Sequence, residues 1–218
     1  ITFLDSGSSQ MGKKESLEDT AKVLGRFFDG IEYRGFDQKV VEDLARYSGV
    51  PVFNGLTDAD HPTQILADMM TMEEHIAKPL SDCKVAFIGD VRNNMAYAWM
   101  YGCAKMGMDF VACTNKKYFP NAELVEIAKR IASETGATVT LTEEVEEATT
   151  NADIIYTDVW VSMGEPAEVW ADRIRQLSPY QVNSAAMKNA GENAIFMHCL
   201  PAYHDKKTEI GKRMCEKF

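Results

Sequence analysis

Polar residues able to do chemistry occur in short runs that directly follow apolar segments of the sequence. One run contains Asp158, another Cys199, and a third Asn94. In a parallel sheet the carboxyl ends of the strands meet at one edge, and ligands bind in the crevice outside that edge. The sequence therefore predicts one polar site. Its candidate members, each at the end of a predicted strand or the start of a predicted helix, are Arg34, His61, Gln64, Asn94, Asp158 and Cys199.

A dinucleotide site is one chemistry to consider at such an edge. Its fingerprint needs three glycines after the first strand, so that the backbone can approach a pyrophosphate. Here Gly89 is present, but Asn93 and Asn94 stand where further glycines are needed. The next strand ends in Cys113-Thr114-Asn115, which lacks the acidic residue that holds a ribose. We therefore expect no NAD or FAD, and the same missing glycines argue against a nucleotide-binding regulator.

The same polar residues could also form a metal site or have purely structural roles. His198, Cys199 and His204 suggest ligands, but a fourth ligand at a suitable spacing is missing, so we expect no metal. Asn93 could simply cap a helix. Asp158 could hold loop amides, and Cys199 could be a small buried apolar residue, as most free cysteines are.

Strand and helix patterns alternate along the chain, which predicts an α/β protein with parallel sheets. An Asn54-Gly55 turn is expected after one strand. The predicted strands are Ile1–Leu4, a short one ending at Arg34-Gly35, Val50–Phe53, Lys84–Gly89, Asp109–Cys113, Thr138–Leu141, Asp153–Thr157 and Ala194–His198. The clearest helical patterns are Glu15–Phe28, Val40–Tyr47, a long helix opened by Asp60-His61-Pro62, Ala122–Ser133 and Val169–Leu177.

This alternation predicts two parallel-sheet α/β domains. We expect the first over residues 1–64 and the second over residues 65–218, with a linking helix at about 62–76. The second pattern is the more regular and predicts a doubly wound, Rossmann-like sheet.

The composition limits the partners and the compartment. Asp and Glu number 33 and Lys and Arg 23, so the formal net charge of −10 makes nucleic acid an improbable partner. The five cysteines form no Cys-x-x-Cys pair, which favours a reducing, cytoplasmic setting. No apolar run approaches the ~20 residues that span a bilayer, so no membrane association is expected.

Taken together, the polar runs resemble the ornithine carbamoyltransferase family over essentially the whole chain. His61-Pro62-Thr63-Gln64 is shared with aspartate carbamoyltransferases, whereas Ser162-Met163-Gly164 and His198–Pro201 point to ornithine. The motifs that carry the resemblance are Gly7–Ser16, Asp29–Gly35, His61–Gln64, Gly89-Asp90, Arg92–Met95, Asp158–Glu165 and His198–Ala202.

The resemblance implies a transferase that makes L-citrulline and phosphate from carbamoyl phosphate and L-ornithine. It implies a partial carbamoyl-phosphate-binding domain over residues 1–64 and an ornithine-binding domain over residues 65–218. It also implies a homotrimer with shared active sites, a place in arginine metabolism, and no cofactor or metal.

Individual roles also follow from the resemblance. The residues expected to bind carbamoyl phosphate are Gln10, Arg34, His61, Gln64, Cys199 and Leu200. Those expected to bind ornithine are Asn94, Asp158, Ser162 and Met163. Arg34, His61 and Cys199 are the expected catalytic residues, and fixed donors such as Arg34 suit the oxygen on which negative charge builds.

The sequence departs from the family in extent. The family's phosphate loop, Ser-x-Arg-Thr-Arg, and its C-terminal segment do not occur in it. We therefore expect an internal piece of a longer protein, inactive by itself. Two other functions stay open: a carbamoyltransferase for another amine, such as putrescine or an acylated ornithine, and a non-catalytic relative that only binds ligand. Putrescine has neither the α-carboxylate nor the α-ammonium that the segment from Asp158 to Gly164 is expected to bind.

Overall fold

The computed structural model describes residues 1–5, 11–161, 167–202 and 205–217. Two compact units, Ile1–Leu66 and Ala67–Phe218, each contain one parallel sheet. The strands are β1 (Ile31–Arg34), β2 (Val52–Leu56), β3 (Lys84–Ile88), β4 (Asp109–Cys113), β5 (Val139–Thr142), β6 (Ile154–Thr157) and β7 (Ile195–His198). The α-helices are α1 (Leu17–Phe27), α2 (Gln38–Ser48), α3 (Pro62–His75), α4 (Asn94–Met106), α5 (Ala122–Thr135), α6 (Val145–Thr149), α7 (Ala167–Leu177), α8 (Ser184–Asn189) and α9 (Glu209–Lys217).

The second unit is built on a five-stranded parallel sheet in the order β5-β4-β3-β6-β7. Residues 85–88 of β3 and 154–156 of β6 are completely buried, at 0% exposure. Such uninterrupted burial is typical of parallel strands covered on both faces. The chain builds outward from β3 to β5 and then returns to β6 on the other side of β3. The carboxyl ends of β3 and β6 therefore flank a topological switch point, where ligands bind in open α/β sheets.

Helix α4 begins directly at this switch point. Its N-cap is Asn93, whose Oδ1 accepts a hydrogen bond from the Ala96 N–H at 2.9 Å. The helix ends at Gly107, which adopts the left-handed conformation with φ 79°. Capping at both ends fixes the residues that follow β3 relative to the sheet.

The first unit contains the parallel pair β1 and β2 with α1 and α2. The two helices lie very close together, because a Cβ atom on Gly25 would stand 1.8 Å from the Ser48 carbonyl oxygen. The β1–β2 register shifts between Tyr33 and Arg34, opposite Gly55. Gly55 fits this irregularity since it carries no side chain where the Glu32 side chain approaches.

The predicted α/β class with two parallel sheets is confirmed, as are the strands of the second unit to within about two residues. Two local predictions are wrong. Asn54-Gly55 lies inside β2 rather than in a turn, because this turn-forming pair supplies the register shift instead. Ile1–Leu4 forms no strand. A strand needs a hydrogen-bonded partner, and the apolar residues of this segment do not specify one. The predicted assignment of the two domains to two substrates stays a prediction.

Within the described ranges, no helix combines the length and the apolar character needed to cross a membrane.

Candidate active site

Asp158 lies directly after β6, at the switch point of the second sheet, and three donors surround its carboxylate. Oδ1 accepts from the Val159 N–H at 2.7 Å and from the Cys199 thiol at 3.4 Å. Oδ2 accepts from the Asn93 side-chain amide at 3.3 Å. The carboxylate is therefore held in one orientation by groups that follow three different strands, β3, β6 and β7.

Asn93 connects two parts of this arrangement. While its Oδ1 caps α4, its Nδ2 donates to the Asp90 carbonyl oxygen at 3.2 Å as well as to Asp158. The sequence predicts the cap but not the second contact, and Asn93 is absent from the predicted site residues. Side-chain chemistry could have indicated the second contact. A capping asparagine uses only its oxygen, so its amide NH2 group must find acceptors elsewhere.

The Cys199 thiol donates a hydrogen bond to the Asp158 carboxylate. Burial raises its pKa to about 12, and the neighbouring Asp158 carboxylate adds to the increase. Because a thiolate is the reactive form of cysteine, a thiol that stays protonated at neutral pH is chemically inert. The contact to Asp158 at 3.4 Å gives this thiol a positioning role.

His198 shapes the turn that carries Cys199 and Leu200. Its Nδ1 accepts the Leu200 N–H at 2.8 Å, so the neutral ring carries its proton on Nε2. Burial lowers the pKa of His198, and the nearby Asp158 carboxylate opposes that decrease only in part. Leu200 has a positive φ of 58° and precedes a cis peptide bond to Pro201. A neutral His198 therefore supports an unusual turn beside Asp158.

A buried polar cluster lies next to Cys199 within the second unit. Tyr156 is completely buried, and its ring lies 5.0 Å from that of Trp99. Burial raises the pKa of Tyr156, and the buried Asp68 on α3 raises it further. The Tyr156 hydroxyl lowers the pKa of the Cys199 thiol and so partly offsets the increase that burial causes. The sequence does not reveal these residues, because each of them looks like ordinary core or helix surface.

Asp158, His198 and Cys199 are also the described residues that could approach a metal ion together. One ligand atom from each lies within 4.8 Å of the others. This group differs from the His198, Cys199 and His204 set considered from the sequence, and His204 lies outside the described residues. A zinc site of the ordinary kind needs four ligands or three with an open position. Here His198 Nδ1 already accepts the Leu200 N–H, so Nε2 is the nitrogen of that ring open to a ligand role.

Gly89, the single glycine after β3, has a packing role. Its φ is 119°, and a Cβ there would lie 2.9 Å from Trp160 Nε1 and 3.2 Å from Thr157 Oγ1. The Thr157 hydroxyl donates to the Ile88 carbonyl oxygen at 2.6 Å. Trp160 therefore packs against the backbone position that a pyrophosphate approaches in a dinucleotide fold.

The first unit carries polar residues of its own at the end of β1 and the start of α3. Arg34 is the last residue of β1 and is exposed, while His61 and Gln64 flank the start of α3 and are half-buried. The His61 carbonyl oxygen accepts the Gln64 N–H at 3.1 Å, and Pro62 occupies the first helical position. The His61 N–H donates to Asp60 Oδ1 at 2.8 Å. These contacts fix the backbone that carries both side chains.

The remaining predicted site residues fall into two classes. Asn94 is the first residue of α4 and is half-buried beside Asn93, and Leu200 is exposed. Gln10, Ser162 and Met163 lie outside the described residues. The structure thus brings Asp158, Cys199 and the start of α4 together, and their substrate contacts stay predictions.

Comparison with known protein families gives a match over nearly the whole chain. Residues 1–74 match the profile described as aspartate/ornithine carbamoyltransferase, carbamoyl-P binding domain. Residues 81–217 match the profile of the Asp/Orn binding domain of the same family.

Individual relatives agree with these profiles. A catabolic ornithine carbamoyltransferase of Treponema denticola is 59% identical over 218 residues, which are 100% of this chain and 64% of that protein. The ornithine carbamoyltransferase structure from Pyrococcus furiosus is 42% identical, with a TM-score of 0.85 over 92% of this chain and 63% of that one. An anabolic ornithine carbamoyltransferase structure from Campylobacter jejuni is 34% identical, with a TM-score of 0.83 over 97% of this chain and 70% of that one. The chain therefore spans about two thirds of the length of the proteins it matches.

Proposed function

This chain belongs to the aspartate/ornithine carbamoyltransferase family, and we propose that its protein transfers the carbamoyl group of carbamoyl phosphate to the δ-amine of L-ornithine. The products are L-citrulline and phosphate. The observation that carries the proposal is the Asp158 carboxylate, oriented by three donors at the switch point of the second sheet. Relatives at 59% and 42% identity bear the same activity in their names, which supports the choice of ornithine.

In the proposed complex, Asp158 pairs with the α-ammonium of ornithine and Asn94 donates to its α-carboxylate. A carboxylate with fixed donors needs no rearrangement to accept a cation, and such preorganisation favours binding. Ser162 and Met163 complete the contacts to the amino-acid end.

Arg34, His61 and Gln64 are proposed to hold carbamoyl phosphate, with Gln10 contributing to a neighbouring subunit's site. Arginine presents a planar fork of donors that suits phosphate oxygens. His61 and Gln64 flank the first turn of α3, where the helix dipole also favours negative charge. Donors aimed at the carbonyl oxygen stabilise the charge that develops there during attack.

The reaction also requires the ornithine δ-amine to lose a proton, since an alkylammonium has a pKa near 10. The neutral nitrogen forms a bond to the carbonyl carbon, the carbon–oxygen bond to phosphate breaks, and the nitrogen gives up a second proton. Cys199 and the Leu200 carbonyl are proposed to face this amine. Because burial holds the Cys199 pKa at about 12, the thiol contributes as a neutral group that orients Asp158.

Assembly and location belong to the same proposal. We propose a cytoplasmic homotrimer with shared active sites, active in arginine metabolism, without cofactor or metal, nucleic acid or membrane partner. The described cysteines are all free, with Cys83, Cys103 and Cys113 buried as thiols, which is typical of proteins from reducing compartments.

The test uses the protein expressed from its full reading frame and a set of amines with carbamoyl phosphate: L-ornithine, putrescine, N-acetyl-L-ornithine and L-aspartate. Citrulline formation with ornithine, at least tenfold faster than carbamoylation of any other amine, is expected. Preference for putrescine would favour a putrescine carbamoyltransferase, in which the Asp158 carboxylate binds no substrate α-ammonium. Binding of both ligands without turnover would indicate a non-catalytic relative. Dialysis against a chelator is expected to leave the rate unchanged.

A further inference from the structure

Arg173 on α7 forms an ion pair with Asp90. Among the described residues of the second unit, this ion pair is the most enclosed. The guanidinium Nη1 of Arg173 contacts Asp90 Oδ2, and the two side chains are only 19% and 8% exposed. The guanidinium carbon also lies 5.4 Å from the centre of the Tyr118 ring. On the same helix, Arg175 is 74% exposed and pairs with Asp172, its neighbour three residues earlier. The two arginines therefore have the same charge and helix but very different surroundings.

The second contact of Arg173 connects it to the candidate site. The same Nη1 donates to the Trp160 carbonyl oxygen at 3.0 Å, only two residues beyond Asp158. The Trp160 indole packs against Gly89, so this segment is held both through its side chain and through its backbone. A shift of Trp160 has to move the Val159 N–H, which is the closest donor to Asp158 at 2.7 Å.

Asp90 completes the connection from the opposite side. Its Oδ1 accepts the Arg92 N–H at 3.0 Å, and its carbonyl oxygen accepts the Asn93 amide at 3.2 Å. That amide also donates to Asp158. Arg173 thus joins the two segments, after β3 and after β6, that supply donors to the Asp158 carboxylate.

We propose that Arg173 is a positioning residue for Asp158 and so sets the affinity for the amino-acid end of the amine substrate; the substrate half of this inference rests on the proposed function. Arginine suits this role because its planar fork bonds a carboxylate and a carbonyl oxygen at once, in fixed directions. A lysine ammonium at the end of a flexible stem keeps the charge but loses that geometry.

The test compares Arg173→Lys with the matched control Arg175→Lys. Hydrogen exchange of the Val159 amide is the first measurement, because this N–H bonds Asp158 whether or not the protein has any transferase activity. In Arg173→Lys we expect faster exchange at Val159 while amides of the buried strand β3 exchange as in the wild type. Arg175→Lys is expected to exchange as the wild type at both places.

The second measurement is the affinity for L-norvaline, which keeps both α-groups of ornithine but lacks the nucleophile. In the presence of carbamoyl phosphate, Arg173→Lys is expected to bind it about tenfold more weakly, within the range for residues that act on a site without touching the ligand. The affinity for carbamoyl phosphate alone should change less than about twofold, as should both affinities in Arg175→Lys.

A double variant guards against a simple failure to fold. Arg173→Met combined with Asp90→Asn removes both partners and leaves no unpaired buried charge. The double variant should show the same fast Val159 exchange and the same weak norvaline binding. Wild-type exchange at Val159 in both variants, or faster exchange across the whole unit in step with it, would overturn the positioning role. Fast Val159 exchange in Arg173→Lys, together with a wild-type protein that binds neither norvaline nor ornithine, would instead overturn the proposed substrate and keep the structural link between Arg173 and Asp158.

Discussion

Asp158 and Arg34 each lie at the carboxyl end of a strand in a parallel sheet, but their surroundings differ. Asp158 follows a strand whose residues 154–156 are 0% exposed, and three donors of its own unit fix its carboxylate. Arg34 ends a strand of a two-stranded sheet and is exposed, beside a β2 strand in which Phe53 is 57% exposed. The Asp158 carboxylate is therefore oriented by its own scaffold, whereas Arg34 is an exposed side chain at the end of a two-stranded sheet. Substitutions should separate these two cases.

The scaffolds themselves should differ most in their response to truncation. Phe87→Ala removes a 0%-exposed ring that stacks on Tyr156 at 5.4 Å, and the cavity should lower the free energy of unfolding by about 3–5 kcal/mol. Phe53→Ala on the first sheet should cost clearly less, because Phe53 is 57% exposed and its truncation removes less buried area. Urea unfolding of both variants measures the difference. Equal losses would show that the two sheets support their polar groups equally well.

The next largest effect is expected at Asp158. Asp158→Asn removes the charge proposed to pair with the α-ammonium, and loss of one partner of an enclosed charge pair costs roughly 2–5 kcal/mol. Norvaline binding should weaken accordingly, with carbamoyl phosphate binding unchanged, as measured by two calorimetric titrations. Asp153→Asn is the matched control at the other end of β6, where the carboxylate accepts the Lys84 N–H at 2.8 Å. Unchanged norvaline affinity in Asp158→Asn would remove the main support for an amino-acid substrate.

On the phosphate side, His61→Ala should act on turnover rather than on stability. A donor to the developing oxyanion contributes about 10²–10³ in kcat. The backbone of His61, not its ring, accepts the first hydrogen bonds of α3, so the helix should survive the substitution. Steady-state kinetics with His75→Ala, at the exposed far end of the same helix, provide the control. A large drop in melting temperature without a change in kcat would assign His61 to the scaffold.

The sequence predicts the two parallel sheets and the proximity of Asp158 to Cys199, because both depend on local patterns. Short apolar strands predict parallel order, and polar residues directly after a strand must lie at the sheet edge. Asp158 and Cys199 are correctly brought together on that basis alone.

The missed residues depend on contacts between distant parts of the chain. Arg173 and Asp90 are separated by 83 positions, and a charged residue on a helical pattern looks like ordinary surface until its partner is known. The local pattern predicts Asn93 only as a helix cap, whereas its second contact, to Asp158, is 65 positions away in the sequence. The predicted turn at Asn54-Gly55 is wrong for a related reason. Pairing with β1, rather than the two residues themselves, decides whether that segment turns.

A smaller effect is expected at Cys199, whose thiol is one of the three donors that orient the Asp158 carboxylate. With a pKa of about 12, this thiol is ionised at pH 8 in only about one molecule in ten thousand, so it should resist iodoacetamide while the exposed Cys215 reacts. Cys199→Ser keeps a donor for Asp158 and should lower kcat/KM by less than about tenfold. Mass spectrometry of the alkylated protein and steady-state kinetics check both statements. Rapid alkylation of Cys199 would show that its surroundings favour the thiolate and would revise its role.

The smallest expected effect concerns His198 and the pH dependence of stability. Burial lowers the pKa of His198 below the ordinary value of 6.5, so below about pH 6.5 the unfolded chain binds a proton that the folded protein resists. Its contribution to stability is therefore complete above pH 6.5 and is lost as the pH falls toward the lowered pKa. Protonation also places a hydrogen on Nδ1, which can then no longer accept the Leu200 N–H.

His198→Asn isolates this contribution, since the amide oxygen can take the place of Nδ1 as an acceptor but does not titrate. Urea unfolding at pH 5.5 and 7.5 measures the change in stability with pH in the wild type and in the variant. We expect a smaller loss of stability on acidification in His198→Asn than in the wild type. An identical pH dependence in both proteins would mean that His198 is equally basic in the folded and unfolded states, and that the Leu200 turn does not depend on its neutral form.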